Sequence, residues 1–193
     1  MERMKIAFLT NGTSPVPATK GGAVENLIED LLDENEKRHS FDFSVFSLYE
    51  EKATEQSKEY KNSITIPIGT GIAAGIIING QIVEGSGGAA GELGHIVVNK
   101  NGYKCGCGLT GCLETYCSAT GIVREGIKRL EKDKNNELYK KINGDLSRLE
   151  AKDIFDLAKS GDKFSIGIVD FFCEYMAEGL GMLLNIVNPE III

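Results

Sequence analysis

Residues 92–95 read Glu92-Leu93-Gly94-His95, and residues 105–114 read Cys105-Gly106-Cys107-Gly108-Leu109-Thr110-Gly111-Cys112-Leu113-Glu114. The cysteines are spaced Cys-x-Cys-x4-Cys, glycines at 106, 108 and 111 let the backbone fold tightly, and a histidine stands ten residues upstream. His95, Cys105, Cys107 and Cys112 thus offer one imidazole and three thiolates. Such a set closes a tetrahedral zinc shell and leaves no open position, which marks a structural rather than a hydrolytic site. The competing reading is three unligated thiols, reactive and uncompensated, in a glycine-rich loop. In a reducing compartment this crowding points to metal rather than to disulfides.

Working outward, the segment before this loop reads as short strands. Ile64 to Ile68 is an apolar run, Gly69-Thr70-Gly71 a tight turn, and Ala73 to Ile78 a second run that ends at Asn79-Gly80. Asn-Gly between two apolar runs predicts a hairpin, with Gln81-Ile82-Val83 as the returning strand. Pro67 removes a ladder donor and should push the first run toward a sheet edge or a bulge. Residues 85–112 form a glycine-rich excursion.

After the loop the pattern turns helical. Helices are predicted from Leu113 to about Lys132, over a short segment from Glu137 to Ile142, over Ala151 to Lys159, and from about Lys163 to Val187. In the last, Ile168, Phe172, Tyr175, Met176, Gly179, Leu183 and Ile186 keep a three-and-four spacing and should bury one face. Asn188-Pro189 stops that helix, and Glu190-Ile191-Ile192-Ile193 reads as a strand. Cys117 and Cys173 read as small buried hydrophobes.

The beginning of the chain is a different kind of sequence. Met4 to Thr10 is an apolar run bounded by Asn11-Gly12, Ala23 to Glu34 has helical spacing behind Gly21-Gly22, and Phe41 to Tyr49 alternates as a strand does. Strand, glycine loop, helix, strand is the opening unit of an open α/β sheet. A glycine pair at a helix N-terminus can present N–H groups to a phosphate, or can be plain turn geometry. The stretch from Glu50 to Asn62 is polar and charged, and a junction is placed there.

The whole chain has 193 residues, 42% hydrophobic and 25% charged, with a net charge of -7. This suits a globular protein and argues against a broad electrostatic grip on nucleic acid or on an anionic membrane surface. No run approaches the roughly 18 apolar residues of a membrane span, and the first ten residues lack a secretory layout, so a cytoplasmic location is expected.

Taken in order, Gly69-Thr70-Gly71-Ile72, the glycines from Gly85 to Gly91, Glu92 to His95, Cys105 to Glu114, Ser118-Ala119-Thr120-Gly121 and Asn188-Pro189-Glu190-Ile191-Ile192-Ile193 resemble the signature of the zinc-containing ROK family of sugar kinases. The best-known members of that family are bacterial glucokinases. The likeness covers residues 64–193, about two thirds of the chain. Residues 1–62 resemble instead the first β-α-β unit of a GT-B glycosyltransferase of the retaining, nucleotide-sugar type, on Asn11-Gly12 and Gly22-Ala23-Val24-Glu25. The fold class implied is α/β: a partial C-terminal lobe of the actin-like ATPase, sugar-kinase type over residues 63–193, preceded by a Rossmann-like β-α-β segment.

What the resemblance implies is hexose chemistry. Glu92, His95 and Glu114 would hydrogen-bond sugar hydroxyls, since carboxylates accept from hydroxyl pairs and a zinc-bound histidine can donate its second N–H. Outside the motif the same acids would read as surface acids beside a turn. Gly69, Thr70 and Gly71 match the second phosphate loop for ATP with Mg2+, and Ala73-Ala74, where the family has glycines, predict a weakened hold on nucleotide. The family's base aspartate and first phosphate loop have no counterpart in residues 1–62, and its adenosine loop would fall past Ile193. No residue is therefore assigned as catalytic, and impaired phosphoryl transfer is the expectation. The alternatives are a sugar-binding regulatory module of the ROK repressor type and a nucleotide-sugar-binding fragment, with a second copy of the chain as a candidate partner.

Overall fold

The structure, a computed structural model, describes residues 5–10, 42–47 and 60–193. The predicted helix from Ala23 to Glu34, the Gly21-Gly22 pair and most of the junction before Asn62 lie outside the described residues. Two compact units divide the chain. One holds the described residues up to Ile66 with Ala74–Gly91 and Val187–Ile193, and the other holds Pro67–Ala73 and Glu92–Ile186.

Among the described residues the first unit is a mixed six-stranded sheet. In chain order its strands are β1 (Lys5–Thr10), β2 (Asp42–Ser47), β3 (Ser63–Thr65), β4 (Gly75–Ile78), β5 (Gln81–Ile82) and β6 (Ile191–Ile192). Across the sheet they lie in the order β2-β1-β6-β3-β4-β5. The strands β2, β1, β6 and β3 run parallel. The last three residues suit β6 to an interior place in the sheet. Ile191, Ile192 and Ile193 are all buried, the continuous apolar run of a strand covered on both faces.

The hairpin forms where Asn-Gly places it, with Asn79 at φ 52° and Gly80 at φ 76° joining antiparallel β4 and β5. Pro67 acts differently from the expectation of an edge strand. The ladder of β3 ends at Thr65, before the proline, and β3 lies inside the sheet between β6 and β4. The missing N–H is accommodated by stopping the strand rather than by moving it outward.

The second unit is helical: α1 (Glu114–Cys117), α2 (Ala119–Leu130), α3 (Glu137–Lys141), α4 (Ala151–Lys159) and α5 (Lys163–Val187, its last residue counted with the sheet). One continuous helix from Leu113 to Lys132 is not what forms. Ser118 is extended, with ψ 165°, and its hydroxyl accepts from the N–H of Gly121 at 3.0 Å, so the serine caps α2 and separates it from α1. The α2–α4 contact is close at Gly126, where a Cβ would stand 2.9 Å from Leu149 and 3.0 Å from Ile154. Along α5 the buried residues are Ser165, Ile168, Val169, Met176, Gly179 and Leu183, while Ile186 is 78% exposed rather than part of the buried face. Cys117 is fully buried, and Cys173 is only half-buried. Among the described residues no helix is long and apolar enough to cross a membrane.

Candidate metal centre

His95 ends a 3-10 turn, Leu93–His95, whose first residue is buried. Gly94 is required there: a Cβ would collide with the carbonyl of Ile72 and stand 3.2 Å from Glu114 Cβ. The glycine of Glu-x-Gly-His is thus what lets the histidine turn approach the acid that follows the last cysteine. The cysteines sit on a narrow ribbon. Val97 bridges Cys112, Lys104 bridges Thr110, and the Cys105 N–H donates to the Leu109 carbonyl at 2.9 Å, which closes the tip. Gly108 and Gly111 make the ribbon possible with φ of 93° and 84°.

A Cβ at Gly111 would in addition run into the carbonyl of Asn99. Gly111→Ala is therefore expected to lower the stability of the metal-free protein by about 2 kcal/mol or more, measured by urea unfolding.

The four groups read from the sequence converge. The ligand atoms of His95, Cys105, Cys107 and Cys112 all lie within 4.8 Å of one another, with 3.6 Å between the sulfurs of Cys107 and Cys112 and 3.5 Å from Cys105 Sγ to His95 Nδ1. Zinc bound at about 2.3 Å to sulfur and about 2.0–2.1 Å to nitrogen needs tetrahedral edges of roughly 3.5–3.8 Å. The residues present fit such an ion.

Around that cluster the carboxylates take distinct places. Glu114 Oε1 lies 2.9 Å from Cys105 Sγ, which donates to it, and 3.8 Å from His95 Nδ1. Glu92 Oε2 lies 3.8 Å from the other imidazole nitrogen, Nε2. One nitrogen therefore faces the thiols while the other faces Glu92. Burial, with the Glu114 hydrogen bond adding to it, pushes the Cys105 thiol up to about 12. Burial also raises Cys112, whereas the backbone N–H of Leu109 lowers exposed Cys107.

Gly69, Thr70 and Gly71 form a tight turn, exposed at Gly69 and Thr70 and half-buried at Gly71, with the Gly69 N–H donating to the Gly71 carbonyl at 2.9 Å. It sits against the start of α2: the Ala119 N–H donates to the Gly69 carbonyl at 2.8 Å, and Thr120 Oγ1 reaches the Thr70 carbonyl at 3.4 Å. A Cβ on Gly71 would stand 3.1 Å from Glu114 Oε2, so this turn and the acid beside the cysteines are neighbours. Ala73 and Ala74 both have negative φ, hence alanine brings no left-handed strain at either position. Unforeseen from the sequence is a group of tyrosines, Tyr103, Tyr116 and Tyr175, packed against the neck of the ribbon. Its sequence trace is aromatic residues on either side of the cysteine cluster, Tyr103 before Cys105 and Tyr116 after Cys112.

The sheet, the hairpin and the helical unit with its cysteine ribbon define an actin-like sugar-kinase fold. The sequence model of the ROK family matches residues 24–193, and the chain belongs to that family. A glucokinase of Halalkalibacterium halodurans is 42% identical over 137 residues, covering 69% of this chain and 40% of that protein. One of Thermotoga maritima is 36% identical over 146 residues, covering 74% and 45%. A ROK family glucokinase from Streptomyces griseus, solved in complex with glucose and AMPPNP, matches with a TM-score of 0.65 at 29% identity over 81% of this chain and 53% of that one. The chain spans less than half the length of the two sequence relatives.

Proposed function

We propose that this chain carries the zinc-bearing, sugar-holding part of a glucokinase-type kinase, which moves a phosphoryl group from Mg-ATP to a hexose, glucose first. The observation that carries this reading is the convergence of Glu92, His95 and Glu114 on one cysteine cluster beside the Gly69–Gly71 turn. Phosphoryl transfer needs the acceptor hydroxyl close to the phosphates, and little covalent chemistry beyond positioning. An acid that orders the sugar next to a turn that meets phosphate serves that need.

Each residue has a role in this reading. His95 Nδ1, Cys105, Cys107 and Cys112 hold zinc, which when bound fixes the imidazole and strengthens its other N–H as a donor. His95 Nε2 then donates to a sugar hydroxyl, and Glu92 and Glu114 accept from neighbouring hydroxyls. Gly69, Thr70 and Gly71 receive nucleotide phosphate. No residue of this chain is proposed as the general base. The location proposed is the cytoplasm. The family match from residue 24 onward runs through most of the segment that resembles a glycosyltransferase unit, which weighs against a separate nucleotide-sugar site there.

The test is calorimetry with glucose on zinc-loaded protein. Binding is expected for the wild type, and Glu114→Gln is expected to weaken it by about 10- to 100-fold, the worth of a charge-assisted hydrogen bond. Equal glucose affinity in wild type and Glu114→Gln would remove the sugar role. A coupled assay with glucose and Mg-ATP reads the complete reaction, for which turnover of about 1–10³ per second is usual.

A further inference from the structure

The cysteines project from a ribbon whose neck, Asn99 to Tyr103 against Gly111, is held by side chains that the reading above leaves without a role. Tyr116 of α1 is 2% exposed, and its hydroxyl accepts from the backbone N–H of Tyr103 at 3.2 Å. A Cβ at Gly102 would collide with that hydroxyl, so the loop backbone lies directly on it. The Tyr116 ring stacks on Tyr175 of α5, with centroids 3.9 Å apart and 22° between planes. The Tyr175 hydroxyl accepts from Asn99 Nδ2 at 3.2 Å, while the Asn99 backbone N–H donates to the Gly111 carbonyl at 3.2 Å.

The other side of the neck is gripped by α2. The Tyr103 hydroxyl accepts from Lys128 Nζ at 3.1 Å and reaches Glu125 Oε2 at 3.4 Å, and the Arg124 guanidinium lies 4.9 Å from the Tyr103 ring centre. Glu125 is itself buried and fixed by Arg129 at 2.8 Å. Tyr103 is two residues from Cys105, and its carbonyl accepts from the Gly111 N–H at 2.7 Å, next to Cys112. The two tyrosines thus fix both strands of the ribbon immediately before their cysteines.

We propose that Tyr116 and Tyr103 are positioning residues of the metal loop, clamping its neck between α1, α2 and α5 so that Cys105, Cys107 and Cys112 stand at ligand separation before an ion arrives. Ordering a loop costs conformational entropy, and a loop ordered in advance by the protein does not charge that cost to metal binding. The clamp therefore sets the metal affinity, and with it the steadiness of His95 and Glu114. The inference rests on the zinc reading of the cluster.

The experiment compares wild type, Tyr116→Phe and Tyr103→Phe, each stripped of metal and titrated with zinc against a chelator, then with cobalt(II) as a spectroscopic probe. Both variants are expected to bind one ion 10- to 100-fold more weakly, the usual cost of losing an outer partner of a metal site, with a broadened cobalt absorption band. Tyr103→Phe keeps the ring under Arg124 and should show the smaller loss. A role in stability alone would lower the melting temperature and leave the affinity and the band unchanged, and that result overturns the proposal. Should Tyr116→Phe fail to fold, Tyr103→Phe decides by the same two readouts. A wild type that takes up neither ion overturns the zinc reading and this inference together. A wild type that binds, beside variants that bind equally well, overturns this inference alone.

Discussion

Cys112→Ser is expected to take the zinc content from one ion per chain to near none, with an affinity loss well beyond the 10- to 100-fold that an outer partner costs. Cys112 is fully buried, and its sulfur is 3.6 Å from that of Cys107, the length of one edge of a zinc tetrahedron. Serine at neutral pH offers a hydroxyl where zinc requires a thiolate, and three ligands of a closed site do not hold what four do. The stability effect should depend on metal. Structural zinc contributes about 10–16 kcal/mol in small zinc domains, and the share realised here should appear as a melting temperature that zinc raises in the wild type and not in the variant. Cys117→Ser is the control. Cys117 is equally buried but donates to the Phe172 carbonyl at 3.3 Å, a bond a serine hydroxyl can also make, so zinc content should stay at one per chain. Metal analysis of the three proteins checks both statements, and a full zinc complement in Cys112→Ser would refute the ligand assignment.

Elements whose signals are local were legible before the structure. The bounds Ala151–Lys159 and Lys163–Val187 match the helices read from the sequence, and in the structure acids fix their starts: the Glu150 N–H donates to Asp153 at 3.1 Å and the Ser165 N–H to Asp162 at 2.8 Å. The break at Ser118 was missed because apolar spacing runs straight through it. Only the competition between a serine hydroxyl and the helix ladder stops the helix there. Ile186 fails for a related reason: periodicity says which residues share a face, but not how far along the helix that face stays covered. The place of β6 between β1 and β3 is set by pairing across the whole chain, and nothing within Glu190–Ile193 specifies its neighbours.

The site divides along the same line. Cys-x-Cys-x4-Cys with glycines marks the ribbon, and all four clustered side chains, His95 included, are readable from the sequence. His95 joins them through Gly94, whose missing side chain lets two segments touch. The tyrosine clamp was not readable, because Tyr103, Tyr116 and Tyr175 meet only once the ribbon, α1 and α5 are packed together.

Zinc affinity is expected to rise by about 100-fold or more per pH unit between pH 6 and 8, because the ion displaces at least two protons. Without metal, Cys105 is pushed up to about 12 by burial and by its bond to Glu114, and Cys112 is raised by burial, so both are thiols at neutral pH. Zinc binds thiolates, hence each must lose its proton on binding, and each proton released makes affinity about tenfold tighter per pH unit. The sign for the metal-free protein is the opposite. A thiol whose folded value lies above its ordinary value of 9.0 stabilises the fold below that pH and loses its contribution as pH climbs toward 12. Zinc-loaded and zinc-free stabilities should therefore diverge above pH 9. Titration calorimetry of zinc uptake in buffers of different ionisation enthalpy counts the protons directly. A count of two or more fits three thiolates and an imidazole, whereas a count near zero would mean that carboxylates such as Glu92 and Glu114, and not the cysteines, hold the ion.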